Sequence, residues 1–255
     1  MDKKNIIAFI PARQASSRFP GKPLVDIEGL PMIEHVRRRA LLSHVLDDVY
    51  VATCDQEISD VVKKSGGKVI MTASSHERCT DRVEEAVHET SADIVVIIQG
   101  DQPLFVPDSI DLLVQPILED KNIFCSNVVS IIRGEDKISS SSVVKAILNQ
   151  AGDIMYYSRS PIPYRKVSNE YVLYQQTGVA AFTRASLNLY SKLLPTPLEK
   201  LESIDFLRIL EHGYRIRGVL YHQEIVEVDY PSDMEKVKKI LCEDPIQKKI
   251  ALSYL

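Results

Sequence analysis

The chain has 255 residues, 45% hydrophobic and 26% charged, a balance that fits one large or two small globular domains and excludes a disordered or fibrous protein. A net charge of −4, from 31 basic and 35 acidic residues, supplies no global attraction to nucleic acid or an anionic membrane, so an anionic ligand has to be met by local charge. The four cysteines, Cys54, Cys79, Cys125 and Cys242, form no C-x-x-C pair, which argues against a zinc ribbon or disulfide framework and for a reducing cytoplasm.

In chain order, Ile6 to Ile10 is an apolar run that ends at Pro11. It is too short for a signal peptide or a spanning helix and suits a buried strand. Pro31 stands at the first turn of a helix from Met32 to His44. A second strand covers Val49 to Thr53, and Gln56 to Lys64 is helical. Gly66 and Gly67 turn the chain into a strand from Lys68 to Met71, and Asp81 to Glu89 carries Val83, Ala86 and Val87 on one helical face. Ile94 to Ile98 is wholly β-branched, needs cover on both faces, and makes the central strand. A helix from Asp108 to Leu118 and a strand from Cys125 to Ile132 complete an alternation of strands and crossover helices. That is the pattern of an α/β protein with a mainly parallel sheet.

The rhythm then changes. Val143 to Leu148 and Tyr171 to Phe182 read as longer strands around SRSPIPYRK, a segment that cannot be regular helix. Helices Arg184 to Leu194 and Leu198 to His212, a strand Arg215 to Tyr221 and a last helix from Ser232 follow. We expect one domain over residues 1–255, with a small mixed subregion inserted at about 125–185. The tail from Cys242 to Leu255 fits either packing on a neighbour or fraying.

Two segments carry chemistry. Pro11 to Leu24, PARQASSRFPGKPL, follows the first strand, the place where an open parallel sheet faces its ligand crevice. It gathers Arg13, Arg18 and Lys22 around Ser16 and Ser17, and Gly21 allows the turn after Pro20. Guanidinium groups pair with phosphate oxygens and lysine adds a point charge, so this loop reads as a phosphate binder, with a solvated basic loop as the alternative. It is not a Walker A loop, because G-x-x-x-x-G-K-[ST] is absent. The second segment, IIQGDQP from Ile97 to Pro103, puts Asp101 at the end of the central strand. A carboxylate there can hold Mg²⁺, which takes one or two protein carboxylates and completes its shell with substrate oxygens and water; a turn residue or helix cap is the alternative. Asp229 in VEVDYPSDM also follows a β-type run and precedes a helix. That placement can bring it to the same edge.

PARQASSRFPGKPL, QGDQP, SRSPIP at 158–163, PLEKLESIDFLRIL at 197–210 and VDYPSDMEKV at 228–237 resemble, in that order, the 3-deoxy-manno-octulosonate cytidylyltransferases, the CMP-Kdo synthetases. The likeness spans roughly residues 5–240. It implies a Rossmann-like nucleotidyltransferase fold, flanked by helices and usually homodimeric, that uses CTP and Mg²⁺ to transfer CMP to a 2-keto-3-deoxy sugar acid. Carried over by position, Arg13 and Lys22 match phosphate-contacting residues, with Pro11, Ala12, Ser17 and Arg18 in the same loop. Thr80 and Arg82 fall in a nucleotide-binding loop. Gln99, next to Gly100, matches a residue near both nucleotide and sugar, Asp101 and Asp229 match the metal pair, and Arg159 matches an arginine of the sugar subsite. The choice of cytosine and the dimer are implied by the resemblance alone.

The chain also departs from that pattern. Ser-Gly-Thr-Glu-Arg is replaced by Arg78-Cys79-Thr80-Asp81-Arg82, where the loss of glycine is expected to limit the backbone, and QGDEP by QGDQP, which removes a carboxylate beside the metal position. On the acceptor side, His-Leu-Gly-x-Tyr is replaced by Gln176-Thr177-Gly178-Val179-Ala180, and a Glu-Gln pair by Asp205-Phe206. Lost hydrogen-bond partners change which acceptor a polar pocket admits. The expected chemistry is in-line attack on the α-phosphorus of CTP, with Arg13, Lys22, Asp101 and Asp229 as the catalytic set. No side chain stands out as a general base; His76 is the histidine nearest the nucleotide loop. Cys79 is not needed as a nucleophile. Three readings follow: a cytidylyltransferase for Kdo or a close relative, one for another acidic acceptor such as a phosphonate, and a nucleotide-binding sensor without turnover.

Overall fold

The computed structural model describes residues 3–15, 18–166, 172–222 and 225–254. Ser16, Ser17, Tyr171 and Leu255 lie outside the described residues. The chain divides into a first unit, residues 1–111 and 226–255, and a second, residues 112–225.

In the first unit, β1 (Ile6–Ala12) is buried along its whole length and runs two residues past the expected strand. A 3-10 turn at Lys22–Leu24 and a hairpin of β2 (Asp26–Ile27) and β3 (Leu30–Pro31) lead into α1 (Met32–Ala40), which stops short of His44. Then come β4 (Asp48–Thr53), α2 (Gln56–Lys64), β5 (Lys68–Met71), α3 (Cys79–Val87) and β6 (Ile94–Ile98). The strands lie in the order β6-β1-β4-β5, all parallel. β6 has the expected bounds and is buried at every residue, as a strand covered on both faces must be. Its register sets Ile97 beside Phe9, so the segments after Ile98 and after Ala12 leave the sheet at the same edge.

α4 (Asp108–Glu119) takes the chain into the second unit. There follow β7 (Ile123–Ile131), α5 (Glu135–Ser139), β8 (Lys145–Leu148), β9 (Ile154–Ser158), β10 (Tyr174–Thr183), α6 (Arg184–Tyr190), α7 (Pro197–Glu202), α8 (Phe206–Glu211) and β11 (Arg215–Tyr221). β7 pairs in parallel with β11 and antiparallel with β10, while β8 runs antiparallel to both β10 and β9. The helix expected over Leu198 to His212 is two helices. Ser203 between them has φ 53, a left-handed conformation that ends α7. The register of β10 against β7 shifts between Gln176 and Ala180. The Asn127 amide enters this bulge, donating to Thr177 O at 3.0 Å and Val179 O at 2.9 Å.

From Val226 the chain is in the first unit again, and α9 (Asp233–Glu243) and α10 (Pro245–Leu252) close it. Val228, Met234, Val237, Leu241 and Ala251 pack with Ile27, Met32 and Leu104. The tail packs on its own chain: Tyr254 Oη lies 2.9 Å from His35 Nδ1 and accepts from Arg39 Nε at 3.0 Å. The α/β class and the mainly parallel strands are those expected. Among the described residues no helix is long and apolar enough to cross a membrane.

Candidate active site

At the edge where β1 and β6 end, the first unit holds a cavity of about 450 Å³, a volume in the range of small-molecule and cofactor pockets. Pro11, Ala12 and Arg13 continue from β1 along one side, and Gln99, Gly100 and Asp101 continue from β6. The two segments run close. A Cβ on Gly100 would lie 3.1 Å from Pro11 O and 3.4 Å from Ile33 Cδ1, so glycine keeps the β6 exit against β1.

The basic loop is closed at its base by the Gly21 N–H, which donates to Gln14 O at 3.2 Å, with Gly21 at φ 71. That turn starts the 3-10 turn at Lys22. From there Lys22 Nζ donates to Asp101 Oδ2 at 2.8 Å and to Val228 O at 2.7 Å. Arg18 reaches Asp229 Oδ1 at 2.8 Å, its guanidinium 5.5 Å from the Tyr230 ring centroid. The structure therefore brings Arg13, Arg18, Lys22, Asp101 and Asp229 together, along with Gln99 and Gly100. Ser17 lies outside the described residues.

The opposite wall comes from α3 and the loop before it, through His76, Arg78, Cys79 and Arg82. Arg82 is 2% exposed and donates to Thr72 Oγ1, Ala73 O and His76 O, while Glu85 accepts from Ala73 N–H and pairs with His76. These bonds fold residues 72–77 back onto the helix, and His76 serves as a strut of that loop. Thr80 is buried in the first turn of α3. Cys79 opens that helix, where any L-residue adopts the required dihedrals, so the backbone restriction expected from replacing glycine does not arise there.

The carboxylates crowd. Burial and then the charge of Asp101 push the Asp229 carboxyl above the usual range, opposed by Arg18 and Lys22. Glu227, two residues earlier, is pushed up to about 8 by burial and by the charges of Asp101 and Asp229. Sequence reasoning missed Glu227 and its pairing with Gln102. The signal was present in VEVD, where an acidic side chain precedes Asp229 at the period of one strand face. No group of three or more His, Cys, Asp or Glu side chains able to hold a metal ion occurs among the described residues. Asp101 and Asp229 are a pair of hard oxygen donors, which suits a divalent cation that draws the rest of its shell from phosphate and water. Negative charge gathered there is what such a cation would relieve.

The residues expected at the acceptor lie in the second unit. Arg159, after β9, donates from Nε to Glu202 O at 2.6 Å and from its two terminal nitrogens to Ser141 O at 2.9 Å and Ser203 O at 3.3 Å. Gln176 lies at the start of the β10 bulge, its backbone N–H on Val144 O at 2.8 Å. Asp205 precedes α8. Phe206 is 8% exposed, its ring 5.9 Å from that of Phe182 and 6.3 Å from that of Tyr157.

A cytidylyltransferase family model matches residues 7–242. A 3-deoxy-manno-octulosonate cytidylyltransferase from Geobacter metallireducens is 39% identical over 243 residues, 91% of this chain and 96% of that protein. An 8-amino-3,8-dideoxy-manno-octulosonate cytidylyltransferase from Shewanella halifaxensis is 40% identical over 234 residues, 90% of this chain and 96% of that protein. The solved structure of a CMP:2-keto-3-deoxy-manno-octonic acid synthetase complexed with CTP superposes with a TM-score of 0.88 at 37% identity, covering 94% of this chain and 99% of that one.

Proposed function

We propose that this chain, which belongs to the cytidylyltransferase family in its 3-deoxy-manno-octulosonate branch, transfers CMP from CTP to a 2-keto-3-deoxy sugar acid and releases pyrophosphate. The observation that carries the proposal is the pairing of Lys22 with Asp101 and of Arg18 with Asp229 at the cavity, in a family whose shared substrate is CTP. A polyphosphate can take these cations from the carboxylates, and the carboxylates then have a divalent cation to hold. Enzymes of this kind use a divalent metal; in our reading it is Mg²⁺, on Asp101 and Asp229, where it would neutralise phosphate charge and help to orient the α-phosphate.

The chain's own residues account for the rest. An acceptor hydroxyl oxygen attacks the α-phosphorus in line, its proton passing to solvent, and the bond to the bridging oxygen of the β-phosphate breaks with its electron pair going to pyrophosphate. Arg13 and Lys22 stabilise the charge that grows on the phosphate oxygens. Arg82 and Glu85 keep residues 72–77 in place along the cavity wall, which is positioning and not chemistry. Gln176, Asp205 and Phe206 are our candidates for the acceptor side, with Gln99 common to donor and acceptor, while Arg159, whose guanidinium is taken by three carbonyls, is a strut of the second unit. We read the chain as one nucleotidyltransferase domain acting as a homodimer in the cytoplasm.

The test is pyrophosphate release from CTP and Mg²⁺ with a panel of 2-keto-3-deoxy acids, Kdo and its 8-amino analogue among them, set against UTP, ATP and GTP. Turnover with CTP and one of the sugar acids is expected. Release with none of them ends the sugar-acid reading.

A further inference from the structure

Asp101 and Asp229 come from distant parts of the chain, and two bonds join their segments directly. The Val228 N–H donates to Asp101 O at 3.0 Å, a backbone bond open to almost any sequence. The Gln102 amide donates from Nε2 to Glu227 Oε1 at 2.5 Å, which depends on these two side chains. One bond involves Asp101 itself and the other its neighbour, and on the far side they fall on residues 228 and 227. Together they set the register of the two segments.

The side-chain pair is chemically selective. Gln102 is 0% exposed, and its Oε1 meets no donor among the described residues. With Asp101 and Asp229 close to Glu227, the neutral amide donor at 102 joins the segments without adding charge. A carboxylate at 102, as in QGDEP, would remove the amide N–H donor and add a fourth carboxyl group to the crowding of Asp101, Glu227 and Asp229. Glutamine at 102 and glutamate at 227 thus fit one another, and neither change is neutral alone.

We infer that Gln102 and Glu227 are a matched pair of positioning residues that fixes the spacing of the Asp101 and Asp229 carboxylates for a divalent cation. The inference rests on the function proposed above. It assigns the pair no contact with the reacting atoms.

A double-mutant cycle tests it: wild type, Gln102→Glu, Glu227→Gln and the double swap. The readout is the Mn²⁺ concentration that half-maximally raises the melting temperature in the presence of CTP, which needs no acceptor and no turnover. Gln102→Glu is expected to raise that concentration about tenfold or more, the usual scale for losing a group that orients a metal ligand. The double swap, with a donor again facing a carboxylate, is expected to return to within about threefold of wild type. A merely structural role would lower the melting temperatures and leave the Mn²⁺ dependence where it was. Unchanged or tighter Mn²⁺ dependence in Gln102→Glu, or a double swap no better than that variant, overturns the inference. If Gln102→Glu does not fold, Glu227→Met is compared with Glu227→Gln: the methionine variant, with no acceptor, should lose Mn²⁺ response at least about fivefold more than the glutamine variant, and equal losses overturn the inference. A wild type with no response to Mn²⁺ and CTP overturns the proposed function and this inference together; a normal wild-type response without coupling in the cycle overturns the inference alone.

Discussion

Lys22 in the first unit and Lys145 in the second are both held at hydrogen-bond distance, but by different partners. Lys22 Nζ lies between a carboxylate, Asp101, and the Val228 carbonyl at the side of a cavity. Lys145 is 0% exposed, and its Nζ donates to three backbone carbonyls, Ser140 O at 2.7 Å, Val143 O at 2.9 Å and Arg159 O at 2.8 Å; burial and the neighbouring Arg159 push its pKa down. The arginines repeat the contrast, Arg18 on Asp229 and Arg159 on carbonyls of residues 141, 202 and 203. A cation paired with a carboxylate beside open space can exchange it for a ligand oxyanion, because one negative partner replaces another. A cation spread over carbonyls has no such exchange, since its departure leaves several acceptors without donors. The first arrangement describes a site and the second a scaffold, although the residue types are the same.

The largest effect that can break this contrast is at Lys22. Lys22→Met should lower kcat/KM for CTP by about 10²- to 10³-fold, the cost of removing a charge-stabilising donor, while the thermal melt stays near wild type. Steady-state pyrophosphate release measures the first and calorimetry the second. A loss under about tenfold would mean that Lys22 is scaffold after all.

Arg159 is the reverse case. The resemblance puts it in the sugar subsite, whereas its hydrogen bonds are those of a strut. Arg159→Met should cost about 1–2 kcal/mol in a urea unfolding experiment, because three carbonyls lose a charged donor. If instead the unfolding midpoint is unchanged and the KM for the sugar acid rises, Arg159 belongs with Lys22 and the contrast between the units is wrong at that residue.

What the sequence disclosed divides along the same line. Ile94 to Ile98 is read with its bounds intact because burial on both faces demands an unbroken β-branched run, and Pro11 to Leu24 is read as a ligand loop because strand order places it at the sheet edge. Both signals are local. The break at Ser203 was hidden, since the residues on either side keep a helical period and a serine with φ 53 has no compositional mark. The bulge at Gln176 to Ala180 was hidden too, because it depends on Asn127, far away in sequence. Glu227 and Gln102 were unreadable as a pair for the same reason: each is an ordinary polar residue until the fold joins 102 to 227. The role expected for glycine at position 79 failed differently. It came from a motif, and the observed helix needs no glycine there.

His35 shows that the packed kind of polar group also occurs in the first unit, away from the cavity. Its Nε2–H donates to Ile27 O at 2.8 Å, so Nδ1 accepts from the Tyr254 hydroxyl at 2.9 Å, and the ring is neutral. Burial lowers its pKa from the usual 6.5, with Arg39 and Arg38 adding to the effect and the Ile27 bond and Asp26 opposing it. The unfolded chain therefore binds a proton more readily than the folded one. The contribution to stability is complete above pH 6.5 and falls as the pH drops below it, until the lowered folded pKa is reached. The slope is at most about 1.4 kcal/mol per pH unit. His35→Gln should flatten that part of the stability curve below pH 6.5 relative to wild type; parallel curves would show that His35 does not titrate as a buried neutral group.

The smallest expected effect is at Cys79, which lines the cavity but opens α3 in an ordinary helical conformation. In-line displacement at phosphorus needs no thiol, and the backbone needs no glycine. Cys79→Ser should therefore leave kcat within about twofold of wild type, because no covalent step is being removed. Cys79→Gly should cost at most about 0.5–1 kcal/mol of stability through helix propensity and leave the KM for CTP unmoved. The two variants separate the ways in which a lining residue can matter. A collapse in the serine variant would make the thiol chemical, and a gain in CTP affinity in the glycine variant would mean that this wall of the cavity is held away from its best fit by the cysteine side chain. With neither, the cavity's function rests on its charged residues, above all the cations paired with carboxylates.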